Sequence, residues 1–269
     1  MPDHKVVVIT GASSGIGKAL ALECAGRGYS LSLAARNAEQ LNAVAEQCRQ
    51  LYKAEVIAVV TDVSKEHDCK ALVDATFQRF NRVDVLINNA GISMRALFND
   101  LNLDVIRQVM DINFWGTVYC TKHALPHLLT SKGSVVGISS IAGYKGLPGR
   151  TGYSASKFAM QGFLDALRVE NLKKGLHVLI ACPGFTASNI RNTALSANGD
   201  VQGESPRDES KMMTPEEVAV HVVNAVEKRK RTLVLTSQGK MTVLLNKFLP
   251  AFMDQQVFNH MRKEPGSPF

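Results

Sequence analysis

The stretch Val6-Val7-Val8-Ile9-Thr10-Gly11-Ala12-Ser13-Ser14-Gly15-Ile16-Gly17 decides how this chain is read. Four β-branched residues in an unbroken run fit a strand buried on both faces, as in a parallel sheet. A glycine-rich turn follows at once, and a helical period opens near residue 16. Glycines permit a tight turn and close backbone approach to a pyrophosphate. The helix behind them presents unpaired N–H groups and a positive dipole end. The spacing of Gly11, Gly15 and Gly17 is G-x-x-x-G-x-G rather than the commoner G-x-G-x-x-G. Ser13, Ser14 and Ile16 are further candidate contacts within the turn. A plain helix-entry loop is the alternative reading.

Outward from this turn, short apolar runs alternate with longer segments of helical period. Strands are expected at Val6–Ile9, Leu31–Ala34, Val56–Val60, Val85–Asn88, Ser134–Ile138, His177–Ala181 and Thr232–Leu235. Helices are expected near 16–27, 38–52, 66–80, 101–130, 152–174 and 215–229. That alternation predicts an α/β fold: a Rossmann-type, doubly wound parallel sheet of about seven strands with helices on both faces. Residues 1–269 read as one domain. Ser64, three residues before His67 and Asp68, marks one helix start, and Thr214-Pro215-Glu216-Glu217 reads as an N-cap with Pro at N1.

Two segments break the rhythm. Residues 186–212 are polar and aperiodic, and they leave the carboxyl edge of the sixth strand, where open α/β sheets bind ligands. They read as a substrate lid, with a disordered stretch as the alternative. Residues 238–263 carry an apolar stripe that Pro250 is expected to kink. They read as a helical tail near the substrate mouth, or as a basic amphipathic segment touching a membrane surface.

Composition narrows the class. The chain has 269 residues and a formal net charge of +7. The excess is thin except at Lys228-Arg229-Lys230-Arg231, which closes a predicted helix where cations complement the dipole. An anionic partner is the other reading of that run, and nucleic-acid binding is not expected. No apolar region follows a basic start, and no apolar run nears the roughly 20 residues that span a bilayer. The five cysteines contain no C-x-x-C pair and fit a reducing, cytoplasmic compartment. His123 and His127 have a metal-ligand spacing, but Pro126 is expected to disturb the helix between them, and no metal is expected.

The cofactor follows from the end of the second strand. NAD-specific sites usually place a carboxylate there, to accept from the ribose 2′-OH. Here the residues are Ala34-Ala35-Arg36-Asn37. An arginine suits a 2′-phosphate, so NADP(H) is favoured over NAD(H); a solvent-facing Arg36 is the bland alternative. Among the five tyrosines, only Tyr153 has a lysine four residues on, Lys157, on one helix face. A neighbouring ammonium, together with a cationic nicotinamide ring, would stabilise phenolate and lower the phenol's pKa. Ser140, ending the fifth strand, could hydrogen-bond a substrate oxygen.

Over nearly its whole length the sequence resembles the classical short-chain dehydrogenases/reductases. The Thr10–Gly17 turn resembles that family's cofactor motif, and Asn88-Asn89-Ala90-Gly91 its sheet-stabilising N-N-A-G. In that motif the second Asn and the Ala-Gly backbone lie against the cofactor. The resemblance implies that Asp62 and Val63 flank the adenine and that Asn113 holds a water in a proton relay to Lys157. It further implies that Ser140, Tyr153 and Lys157 complete a catalytic tetrad. Pro183-Gly184 resembles the turn against which the nicotinamide packs. Ser188 stands where the family commonly has a Thr bonding the carboxamide. Many NADP-preferring members carry a basic residue inside the glycine turn, where this chain has Ala12, Ser13 and Ser14, so that preference rests on Arg36.

The resemblance implies an NADP(H)-dependent oxidoreductase interconverting a carbonyl and a secondary alcohol, with Tyr153 as acid/base. Lys157 would also hold the nicotinamide ribose. Leu195, Met212, Met213 and the apolar tail hint at a lipophilic ketone. Helices carrying His123 and Tyr153 resemble the pair through which members associate, which implies a homodimer or homotetramer. A non-catalytic NADP-binding sensor on the same fold is the alternative.

Overall fold

The computed structural model describes residues 5–203 and 212–267. Seven parallel strands form one sheet: β1 (Val6–Thr10), β2 (Ser30–Ala35), β3 (Val56–Val60), β4 (Val85–Asn88), β5 (Ser134–Ile138), β6 (His177–Cys182) and β7 (Thr232–Val234). Their order is β3-β2-β1-β4-β5-β6-β7, so the winding reverses between β1 and β4. Adjacent carboxyl ends diverge at such a reversal and leave a crevice.

The period-two alternation of β1 divides the core. Val7 and Ile9 face α1 (Gly15–Gly26), α2 (Ala38–Tyr52) and α7 (Pro215–Glu227), where Leu20, Leu41 and Val222 meet them. Val8 faces the opposite layer of α3 (Glu66–Phe80), α5 (Gly116–Thr130) and α6 (Thr151–Glu170), with Leu72, Leu128 and Leu164. Both faces are covered, which is why these strands are largely apolar. A third cluster packs Leu195 of the lid segment against Met94, and against Val105 and Val109 of α4 (Leu103–Met110).

The expected helix over 101–130 is three pieces. After α4 the chain makes one π-helical turn at Asp111–Trp115 before α5 begins. Such a turn inserts one residue into the helical ladder and re-aims a side chain; here Asn113 is the buried polar residue inside it. Pro126 does not interrupt α5, contrary to expectation. His127 stacks on Phe77 at 4.3 Å, and His123 faces Glu66 at 3.3 Å. The N-cap of α3 is Lys65, not Ser64, whose hydroxyl donates instead to Asp62 at 2.8 Å. The capping box at α7 is formed: Thr214 Oγ1 accepts from Glu217 N–H, and the Glu217 carboxylate accepts from Thr214 N–H.

The four-cation run is a loop anchor as well as a helix end. Lys228 closes α7, and Arg229 donates to the carbonyls of Lys132 and Gly175 at 3.1 and 2.6 Å. All five cysteines are buried thiols. The tail forms α8 (Ser237–Phe248) and α9 (Pro250–Met261), and the break falls at Leu249, where Pro250 starts the second helix. Among the described residues no helix is long and apolar enough to cross a membrane.

Candidate active site

A cleft of about 670 Å³ opens at the carboxyl ends of β1 and β4. Its first wall is the glycine turn. Gly11 has φ +65°, and a Cβ there would meet the Ala90 backbone at 2.8 Å. A Cβ on Gly17 would lie 2.1 Å from the Gly11 carbonyl oxygen. The turn is tied to the end of β4: Asn89 Nδ2 donates to the carbonyls of Thr10 (2.9 Å) and Gly11 (3.2 Å), and Thr10 Oγ1 accepts from the N–H groups of Asn89 and Ala90. Ser14, the N-cap of α1, makes no side-chain bond to that helix's first turn. The first-turn N–H groups are thus left to a ligand at the dipole's positive end. Gly15, Ile16 and Ser13 line the same wall.

Arg36 and Asn37 stand at the end of β2 on the cleft's rim, with Arg36 exposed and Asn37 capping α2. Asp62 accepts from Ser64, and Val63 is buried against Gly116 at the start of α5. Ala90 and Gly91 line the floor. A Cβ on Gly91 would lie 3.1 Å from Asn113 Oδ1 and 3.6 Å from Lys157 Nζ. Pro183, Gly184 and Ser188 form the far wall, where Ser188 Cβ stands 3.6 Å from the place a Gly15 Cβ would take. Every residue expected to touch a cofactor is at this cleft or packed immediately behind it.

Asn113 is fully buried and spans three partners. It accepts from Ile92 N–H at 2.8 Å, donates to Ile92 carbonyl at 3.0 Å, and donates to Ser156 Oγ at 2.9 Å. Ser140 caps a short turn by accepting from Ala142 N–H at 3.1 Å, and it lines the cleft together with Tyr153. Lys157 Nζ donates to Ile138 carbonyl at 2.9 Å and lies 5.7 Å from the Tyr153 ring centroid.

Within the chain itself, burial sets the two ionisable groups. Burial pushes the Tyr153 phenol above its ordinary value; the nearby Ser140 hydroxyl, and the charges of Arg150 and Arg191, pull it down but do not win. Lys157 is not among the groups that acidify it. Its own burial lowers it to about 8, and its ammonium is turned to a backbone carbonyl. A desolvating site disfavours both ions, so at neutral pH the phenol holds its proton firmly.

A second chamber of about 440 Å³ shares Ser140, Leu147, Pro183, Gly184 and Phe185 with the cleft. Its roof is α8 and α9, through Met241, Leu245, Phe252 and Met261. Of the lid segment, residues 204–211 lie outside the described residues. The remainder is joined to the body by bridges from Leu195 to Met94 and from Thr186 to Met213. Arg150, Arg191 and Phe185 were not singled out from sequence; nothing in spacing marks a lone arginine or phenylalanine as lining a site.

The sequence model of a family described as short chain dehydrogenase matches residues 5–199. The 11-beta-hydroxysteroid dehydrogenase A of Arachis hypogaea is 38% identical over 271 residues, covering 98% of this chain and 77% of that protein. The 11-beta-hydroxysteroid dehydrogenase-like 2 of Arabidopsis thaliana is 45% identical over 187 residues, 69% of this chain and 60% of the relative. Among solved structures, a Burkholderia phymatum short chain dehydrogenase/reductase in complex with NAD superposes with TM-score 0.83 at 26% identity, covering 94% of this chain and 95% of that one. An alcohol dehydrogenase of Thermococcus sibiricus complexed with 5-hydroxy-NADP gives 0.77 at 26%, covering 87% and 96%.

Proposed function

The chain belongs to the short-chain dehydrogenase family, an NAD(P)-dependent oxidoreductase acting on CH–OH groups, and on that footing we propose that it interconverts a lipophilic ketone and its secondary alcohol with NADP(H). The residues present fit a dinucleotide: an uncapped helix start and close-approach glycines at one end of the cleft, a lysine and a phenol at the other. When bound, the nicotinamide supplies or accepts the hydride. Gly11 through Gly17 take the pyrophosphate, Asp62 and Val63 flank the adenine side, and Asn89, Ala90, Gly91, Pro183, Gly184 and Ser188 hold the nicotinamide half. Arg36 pairs with a 2′-phosphate, supported by its rim position and the absence of a carboxylate at the end of β2.

The observation that carries the reading is that Ser140, Tyr153 and Lys157 line one cleft, with Ser140 on the wall it shares with the apolar chamber. In the reductive direction Tyr153 donates its proton to the carbonyl oxygen, and Ser140 orients that oxygen. Burial keeps the phenol protonated at neutral pH, so the proton that the reduction consumes is in place. Lys157 holds the adjoining ribose, and Asn113 fixes the segment on which Lys157 and Gly91 meet. The apolar roof and the hydroxysteroid dehydrogenase names of the relatives favour a lipophilic substrate. Exposed Phe158 and Val169 on α6, with Trp115 just before α5, support a homo-oligomer.

Ketones and aldehydes are screened while NADPH or NADH oxidation is followed, with Tyr153→Phe beside the parent. Turnover is expected with NADPH, and loss of at least about 10³-fold in the variant with cofactor affinity retained. Parental turnover in Tyr153→Phe removes the proton donor from the reading, and a strong NADH preference removes Arg36's role.

A further inference from the structure

A buried carboxylate stands beside the chamber's roof, which is tied to the body at α8 by Asn246 Nδ2 donating to the Tyr144 carbonyl at 2.9 Å. Glu264 is 8% exposed, in the segment directly after α9. Its Oε2 lies 2.9 Å from Arg150 Nη2 and 3.9 Å from Arg95 Nε. Arg95 also reaches past it, donating from Nη2 to Pro265 carbonyl at 2.5 Å. A charge taken out of water persists only where partners replace the solvent. Burial, and behind it the closeness of Arg150, weigh against the Arg95 cation, and Glu264 opposes both.

The two arginines belong to different walls of the site. Arg150 is the N-cap residue of α6, three positions before Tyr153, and its carbonyl accepts from Ser154 N–H at 2.8 Å. Arg95 is bonded to the lid segment through its own backbone: its N–H donates to Leu195 carbonyl at 2.8 Å, and its carbonyl accepts from Gln202 at 3.2 Å. Glu264 is one turn from the roof, with its N–H on the carbonyl of Met261, which is 2% exposed and lines the chamber. His260 stacks on Phe185 beside it. The other ion pair of α9, Lys145 with Asp254, has its carboxylate in solvent, where such a pair contributes little.

We infer that Glu264 is a positioning residue for substrate: by clasping Arg150 and Arg95 it holds α9 down over the chamber and so sets how tightly a bulky apolar carbonyl is gripped. The inference rests on the proposed function, since it assigns the chamber to the substrate. Glu264 touches no reacting atom. Its effect falls on the fraction of time the roof is closed, and it favours large substrates over small ones because only the former reach α9.

The test compares the full-length parent with Glu264→Gln, using a fused-ring steroid ketone and a short-chain ketone, with NADPH. If the neutral variant closes its roof one tenth of the time, KM for the steroid ketone rises about tenfold while kcat holds. The ratio of kcat/KM between the two ketones falls by the same factor. Glu264→Asp is expected to restore part of it. Hydrogen exchange across 250–263 gives a readout free of turnover, and those amides are expected to exchange faster in Glu264→Gln. Should that variant not fold, Arg95→Gln loosens the same clasp and is read identically. An unchanged ratio, or an equal loss on both ketones, overturns the inference, as does unchanged exchange. A parent inactive on every ketone overturns the proposed function instead, and exchange still decides whether the clasp exists.

Discussion

Replacing Asn113 with Ala separates a scaffold role from an ornamental one. Its amide satisfies both the N–H and the carbonyl of Ile92 and also reaches Ser156. The truncation strands two backbone groups of a partly buried segment. Each such group costs about 1–3 kcal/mol when left without a partner. Taking the low end for both, and adding the small cavity, gives a loss of about 3 kcal/mol against a total stability of about 5–15 kcal/mol. In a chain of this size that corresponds to a fall of about 6–12 °C in Tm. Ser156→Ala removes the third bond and the hydroxyl's own donation to the Tyr153 carbonyl at 2.7 Å, but strands no backbone N–H, and is expected to cost about 1–2 kcal/mol. Freed from Asn113, the 89–92 segment shifts against Gly91 and Lys157, and a displacement near 1 Å lowers kcat/KM by about 100-fold. Urea and thermal unfolding measure the first effect and steady-state kinetics the second. An Asn113→Ala protein within 1 kcal/mol of its parent, or no less stable than Ser156→Ala, refutes the reasoning.

Other perturbations test other parts. Gly17→Ala drives a methyl group into the Gly11 carbonyl at 2.1 Å, so NADPH affinity by fluorescence titration is expected to fall at least about tenfold, because the backbone on both sides must shift. Gly137→Ala meets Leu164 Cδ1 at 2.3 Å in the sheet's centre and is expected to cost about 1–3 kcal/mol on urea unfolding without altering the NADPH dissociation constant. Lys157 is buried with its pKa lowered to about 8, so charging it in the fold is unfavourable. That cost, of order 3 kcal/mol, is fully present below pH 8 and fades as pH rises towards the unfolded value near 10.5. The stability gap between Lys157→Met and the parent should therefore move in the parent's favour across pH 8 to 10.5, and a flat gap contradicts the assignment. Arg36→Ser is expected to raise KM for NADPH about tenfold or more and leave KM for NADH within about twofold.

The strands were legible because both faces of the sheet are covered, so most read as largely apolar runs, and β3, β4 and β5 begin and end where the sequence put them. The glycine turn was legible because Gly11 and Gly17 leave no room for a side chain. The π turn was not. It depends on where Asn113 finds partners 21 residues away at Ile92, and helical periodicity carries no trace of that. The surroundings of Tyr153 were not legible for a related reason. Spacing shows that Lys157 shares its helix face, but it does not show that the ammonium turns to Ile138 or that desolvation exceeds attraction. Glu264 gave no signal, since its meaning lies in arginines 114 and 169 residues earlier.

The sheet ends in two open strands of different character. β7 contributes three residues and follows directly on Lys228-Arg229-Lys230-Arg231, so a foreign strand approaching that side meets a short template guarded by positive charge. β3 has five apolar residues; Arg49 donates to the Val56 carbonyl at 2.8 Å and guards its start, while its far end, with Val60 59% exposed, carries no cation. Self-association on prolonged storage or during crowded expression is therefore expected to begin along β3. A single lysine in place of Val60 is the smallest change that would give that flank the protection its opposite already has.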